Sequence, residues 1–192
     1  IVLGLSEIGA RAIDPTHPSV ISVGQISGGT APNVIAGQAS CWGTVRATTT
    51  HDRDLLHADI RRLARYTAAA RGAKAEVEIV TGGPILDNNA DLVAHIDPLV
   101  RHAGLDLAAT PFRSCGSDDF AAYGAHLPSV MMFAGTGTIS SHGDRHKVGL
   151  HHERFLPDED AVERVARAMA VGLVGGTALV RESGRDAVRR AG

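Results

Sequence analysis

The hydrophobic pattern changes period several times along the chain, and each change marks an element. Val2, Leu5, Ile8 and Ala12 recur at helical spacing and stop before Asp14-Pro15, which predicts a helix over 1–12. Val20 to Ile26 is apolar-rich and β-branched. Further on, Ala39, Cys41, Gly43, Val45 and Ala47 alternate with Ser40, Trp42, Thr44, Arg46 and Thr48. A period of two predicts strands with one face turned inward. Gly28 to Gly37, with Pro32 and Asn33, joins them as the open loop of a hairpin. A second helix, capped by Thr50 or Asp52, is expected to run to about Arg71, with Leu55, Leu56, Ile60 and Leu63 on its apolar face and Gly72 as its stop. Ala75, Val77 and Ile79 then alternate with Glu76 and Glu78, which predicts another strand over 74–80. Helix, strand, strand, helix, strand is a ferredoxin-like split βαβ unit that lacks its first strand.

Thr81-Gly82-Gly83-Pro84 is the clearest boundary. Beyond it, 87–100 reads as a helix that Pro98 can kink or end. A short strand is expected over 108–113, and a helix start capped by Ser117 or Asp118 follows. The continuous apolar run Val130 to Ala134 predicts a strand buried on both faces. Pro157-Asp158-Glu159 opens a last helix, which Gly175-Gly176 can bend, and 181–192 reads as a polar, Arg-rich tail. The predicted class is α/β: an α+β segment over 1–83, a segment with a covered sheet over 84–180, then the tail.

Composition narrows the partners more than the fold. The 192 residues are 44% hydrophobic and 21% charged, ordinary for a globular protein, and the formal charge is −2. Nothing in that balance favours nucleic acid or membrane, and no apolar run reaches the ~18–20 residues of a spanning helix. Cys41 and Cys115 lack any CxxC partner, which suits a reducing, cytoplasmic setting. Ile1-Val2-Leu3-Gly4-Leu5 reads as a helix already under way, so the chain is expected to be a fragment whose upstream part could hold a targeting signal.

Candidate chemistry lies in three places. In the hairpin loop, glycines allow close backbone approach, Asn33 offers a donor and an acceptor, and Arg46 has a fork suited to a carboxylate; equally, Asn33 can simply close a turn and Arg46 can be a solvated strand residue. Ser114 to Phe120 is a Gly/Ser turn before a helix, where exposed amides of Gly116 and Ser117 can meet an anion. His142, His146, His151 and His152 fall within eleven residues, which raises the prospect of a metal.

Gly28-Gly29-Thr30-Ala31-Pro32-Asn33-Val34-Ile35 with Gly43-Thr44-Val45-Arg46 resembles the lid signature of the M20 metallopeptidase and amidohydrolase family, in the branch of hippurate, N-acyl-amino-acid and auxin-conjugate hydrolases. Gly116 to Phe120 is similar to that family's Gly-x-Glu-Asp-Phe turn, with Asp118 in place of Glu, and Leu150-His151-His152-Glu153-Arg154-Phe155 matches its Leu-His-x-x-x-Phe motif. Ala36-Gly37 departs from its usual Pro-Asp. The resemblance covers about residues 1–175 and implies a lid and dimerisation domain, then the C-terminal part of a zinc-peptidase-like catalytic domain. It implies hydrolysis of the amide of an N-acyl amino acid or short peptide by a two-ion site, zinc or manganese, with a glutamate as general base. It assigns Asn33 to the scissile carbonyl as a catalytic residue, Arg46, Gly116 and Ser117 to the substrate carboxylate, and His151 to the metal. His142, His146 and His152 fall where the motif assigns no metal. The other ligands, the general base and a lid histidine that reaches across a homodimer would lie upstream of Ile1. Two other readings stand beside this one: an inactive dimerising or ligand-binding module, and an unrelated single-metal protein built on the histidine cluster.

Overall fold

The computed structural model of the protein describes residues 1–110, 112–136 and 150–191, without the side chains of 183–191. The chain forms two compact units, Ile1–Leu86 with Arg113–Ala122, and Asp87–Phe112 with Tyr123–Gly192.

In the first unit, α1 (Val2–Ala12) leads into β1 (Ser19–Gly28), β2 (Ala39–Ala47) and α2 (Thr50–Ala69). The helix start follows from local chemistry. Thr49 is the N-cap, its Oγ1 accepting from Asp52 N at 3.0 Å. The same hydroxyl donates to Asp52 Oδ2 at 2.7 Å, and His17 Nδ1 lies 2.9 Å from that oxygen. Asp52 is only 4% exposed. His17 belongs to the α1–β1 link, so one carboxylate ties that link to the first turn of α2. At the other end, the Ala73 amide donates to Ala68 O at 3.0 Å across Gly72, whose φ of 69° suits a residue without Cβ.

Leu5, Ile8, Ile13 and Leu56 form the core of this unit, with Ile21, Val23, Val45 and Leu63 packed around them. Leu56 is fully buried. Gly4 lets α1 approach α2, since a Cβ there would stand 2.9 Å from Leu63 Cδ1. The strands pair antiparallel from Ser19↔Ala47 to Gly28↔Ala39, with a bulge at Gly24 between Val23 and Gln25. Gly43 sits opposite Val23, and a Cβ on it would fall 2.2 Å from Ser22 O.

Segment 74–80 keeps the expected alternation, with Ala75, Val77 and Ile79 half-buried and Glu76 and Glu78 exposed, yet it forms no ladder. A split βαβ sheet places its first strand between the hairpin and the last strand. Without that neighbour among the described residues, the segment has nothing to pair with.

The second unit is built on α3 (Ala90–His102) and α5 (Asp160–Ala191); between them in sequence, α4 (Ala121–Gly124) is a single turn. Leu92, Ile96, Val100 and Val171 form its core. At Gly175 a Cβ would stand 2.7 Å from Ile96 Cγ1, so this glycine serves close helix approach, and α5 runs unbroken past it. Pro98 does not end α3, whose buried residues lie on both sides of it. The polar stretch from 181 continues α5 as far as Ala191 instead of leaving it as a tail.

Asn88 and Asn89 divide the labour at the start of α3. Asn89 caps it, accepting from Leu92 N at 2.9 Å. The Asn88 amide copies a strand neighbour: its Nδ2 donates to Met131 O at 3.1 Å and its Oδ1 accepts from Met131 N at 2.9 Å. The run 130–134, expected as a strand buried on both faces, carries no ladder and leaves Met132 and Phe133 exposed. A side-chain amide can satisfy one residue but cannot propagate a sheet. Nor do 108–110 or 112–113 form a strand. The only sheet among the described residues is the two-stranded hairpin, so the expected mixture of helix and strand is present with most of its order in helices.

Truncation of Leu56 should report the first core directly. Leu56→Ala is expected to cost about 2–5 kcal/mol in chemical denaturation, since a fully buried leucine leaves a cavity. In the second unit, His95 joins α3 to α5: its Nδ1 lies 2.8 Å from Asp91 O and its Nε2 2.9 Å from Glu182 Oε2. Both partners accept, so both ring nitrogens donate when the ring is protonated. The hydrogen bond to the Asp91 carbonyl, then the one to Glu182, raise the His95 pKa above its ordinary value. A raised folded pKa gives stability that is complete below the unfolded pKa, about 6.5, and is lost as pH rises through the folded value. His95→Gln should therefore lower the melting temperature at pH 5.5 and change it little at pH 9.

Candidate functional site

The hairpin supplies the first candidates. Helices cover only its base, where Ile21, Val23, Val45 and Ala47 turn inward. The opposite face carries Val20 and Arg46 as one cross-strand pair, Ser22 and Thr44 as the next, then Gln25 and Trp42. Arg46 is half-buried. Of the four half-buried arginines described, Arg53 pairs with Asp54, Arg61 donates to His57 O and Arg164 pairs with Asp158. Arg46 has no anion or carbonyl partner among the described residues, although a half-buried guanidinium gains most from one.

Asn33 is exposed in the loop at the far end of the hairpin, inside a turn closed by Val34 N donating to Ala31 O at 3.2 Å. The loop and the strand ends border an open hollow of about 390 Å³, lined by Ser27 to Thr30 and Val34 to Ser40. Asn33 and Arg46 are thus separated along the hairpin, with roughly 24 Å of β2 between Ala39 and Arg46.

The Gly/Ser turn is partly committed to its own fold. The Gly116 amide donates to Ser114 Oγ at 2.9 Å, and Phe120 N donates to Asp118 Oδ1 at 2.8 Å. Asp118 therefore closes a turn ahead of the helix, which is itself a single turn. Ser117 is exposed and has no side-chain partner among the described residues.

His151 and His152 differ sharply. Phe155 N donates to His152 O at 2.9 Å and Arg154 N to His152 Nδ1 at 3.1 Å. An imidazole that accepts at Nδ1 carries its proton on Nε2, so neither nitrogen keeps a free lone pair. His151 is exposed, has no hydrogen-bond partner among the described residues, and sits at φ 69°, the one non-glycine residue described with positive φ. Side chains are rare in that conformation unless context imposes it. No group of three or more potential ligands gathers among the described residues, so His151 could supply one bond of the roughly four an ion takes. His142 and His146 lie outside the described residues.

That Arg46 has no partner among the described residues, and that the two histidines differ, are not legible in sequence, because both depend on which donors find acceptors after folding. The double Asn at 88–89 was a usable signal: one amide caps the helix and leaves the other spare.

No helix among the described residues is long and apolar enough to cross a membrane. Residues 3–71 match a family model described as a peptidase dimerisation domain. A protein named as a probable hydrolase in Synechocystis sp. is 38% identical over 165 residues, covering 84% of this chain and 41% of that protein. An N-acetyldiaminopimelate deacetylase of Bacillus pumilus is 28% identical, covering 86% of the chain and 42% of the deacetylase. The solved structure of a Bacillus subtilis dinuclear metal-binding peptidase from the M20 family superposes with a TM-score of 0.72 at 26% identity, over 91% of this chain and 45% of that one. The chain spans about two fifths of the length of the relatives it matches.

Proposed function

We propose, from the premise that the chain belongs to the M20 family of hydrolases, that the whole protein cleaves the amide bond of an N-acyl amino acid or short peptide bearing a free carboxylate. The observation that carries the substrate class is Arg46, half-buried on the open sheet face with no partner among the described residues. A planar bidentate donor in that state suits a carboxylate. The names of the relatives, N-acetyldiaminopimelate deacetylase and N-acetylcysteine deacetylase, support an N-acyl substrate.

In this reading 1–83 serves as a partial lid through which two copies pair, and 84–180 belongs to the catalytic domain. The peptidase dimerisation match supports the first part. The resemblance assigns Asn33 to the scissile carbonyl, but with roughly 24 Å of β2 between its loop and Arg46 the two do not meet one small substrate within a single hairpin; the exposed Ser117 borders the carboxylate, and Gly116, whose amide is already spent on Ser114, lends only backbone space. His151 offers a lone pair to one of two divalent ions, zinc or manganese, which supply Lewis-acid assistance and an activated water when bound. The described residues of this chain gather too few ligands for tight binding, and the chain alone is expected to be inactive. Free Cys41 and Cys115 support a cytoplasmic setting.

Two measurements on the whole protein test the assignment. His151→Ala should remove one metal equivalent and most activity, while His152→Ala keeps its metal; equal loss in both would shift the motif by one residue. Arg46→Lys should lower kcat/KM by about 10- to 150-fold, the worth of a charge-assisted bond at roughly 1.5–3 kcal/mol. On a substrate whose carboxylate is converted to carboxamide, the same change should cost little. Equal damage on both substrates would make Arg46 a structural strand residue.

A further inference from the structure

We propose that Arg164 is a positioning residue for His151: it ties the chain on both sides of that histidine to α5 and so holds the imidazole where an ion can use it. This inference rests on His151 being a metal ligand.

Asp158 and Arg164 form a clamp at the start of α5. The Arg164 guanidinium pairs through Nη2 with the Asp158 carboxylate, and its Nε donates to Gly135 O at 3.0 Å. The Asp158 amide donates to Thr136 O at 2.9 Å, and its carbonyl accepts from Ala161 N at 3.1 Å. Gly135 and Thr136 follow the apolar run 130–134, well before His151, and Asp158 comes seven residues after it. One guanidinium thus joins the chain upstream of His151 to the chain downstream. Arg164 and Asp158 are both half-buried, so their charge-assisted bond is screened less than a surface pair. The next arginine of α5 does something else: Arg167 pairs with Glu163 on its own helix and reaches Ala103 O at the end of α3.

The path from this clamp back to His151 is short and has few free torsions. Pro157 adjoins Asp158 and has its φ fixed by its ring, and Leu156 before it is restricted in turn. Residues 152–155 form a turn, closed by Phe155 N donating to His152 O at 2.9 Å, with Arg154 N donating to His152 Nδ1 at 3.1 Å. His151 adjoins that turn at φ 69°. A non-glycine residue keeps such a conformation only where its surroundings impose it. Here the turn imposes it, and the turn is anchored through Leu156 and Pro157 to the clamp. The exposed imidazole has no partner of its own among the described residues to hold it if the clamp opens. A ligand that swings costs affinity without any change of donor atoms, and losing a group that orients a ligand typically costs about 10- to 100-fold.

The test measures the zinc affinity of the whole protein by competition with a chromophoric chelator. Arg164→Ala should weaken one ion by about tenfold. Arg164→Lys keeps a cation for Asp158 but not the fork that also reaches Gly135 O, and should fall between wild type and Arg164→Ala. A cycle with His151→Ala supplies the readout that a merely structural role would not move. In the His151→Ala background, Arg164→Ala should leave the affinity for the remaining ion unchanged, while the melting temperature of the metal-free protein falls equally in both backgrounds. Wild-type zinc affinity in Arg164→Ala would overturn the inference and leave His151 a ligand. A weaker remaining ion in the double variant would overturn it too, since Arg164 would then act on the whole unit and not through His151. If His151→Ala retains both ions, the ligand reading itself fails and the inference falls with it.

Discussion

A two-stranded ribbon can bury only the face and the length that helices cover, and that limit governs the first unit. Leu56 and its neighbours shield the base of the hairpin, where the inward residues of β1 and β2 meet α1 and α2. Past Gly24 the helices end and the ribbon continues with both faces open, Ile26 and Trp42 among the exposed residues. The Asp52 carboxylate fixes where this happens, because it holds the α1–β1 link against the start of α2. The loop with Asn33 and the strand with Arg46 are thus carried on a ribbon that helices cover at one end and leave uncovered at the other.

Much of this could be read from the residues in order. Alternation from Ala39 to Thr48 located β2 and put Trp42 and Arg46 on one side before any register was known. Helix starts were legible because capping is local, although the cap of α2 is Thr49, one residue before the nearer of the two expected caps. What failed was pairing at a distance. Segment 74–80 has a strand's alternation and 130–134 has a buried strand's composition, but a ladder depends on a neighbour that neither pattern contains. The exposed Met132 and Phe133 show the same dependence from the other side, as apolar residues without a second layer.

The candidate site was legible in its positions and not in its states. Residue type and spacing singled out Asn33, Arg46, Gly116, Ser117 and His151. Folding then separates groups that are spent from groups that are spare. The Gly116 amide, the Asp118 carboxylate and the His152 imidazole already serve their own turns. Arg46 and His151 keep their hydrogen-bonding capacity, and a donor or lone pair left over after folding is where outside chemistry can attach.

Gly43 holds a larger consequence than its size suggests. Its missing side chain is filled by the carbonyl of Ser22, so no other amino acid fits without moving a backbone. A slip of one residue between the strands would set a residue with a side chain in that place, and it would also exchange the two faces of β2. Parity of the strand is therefore locked by an absent atom. For an engineer, this separates the sequence into fixed and variable letters: 40, 42 and 44 can be randomised to reshape what the open face prefers, while position 43 keeps every library member in the same frame.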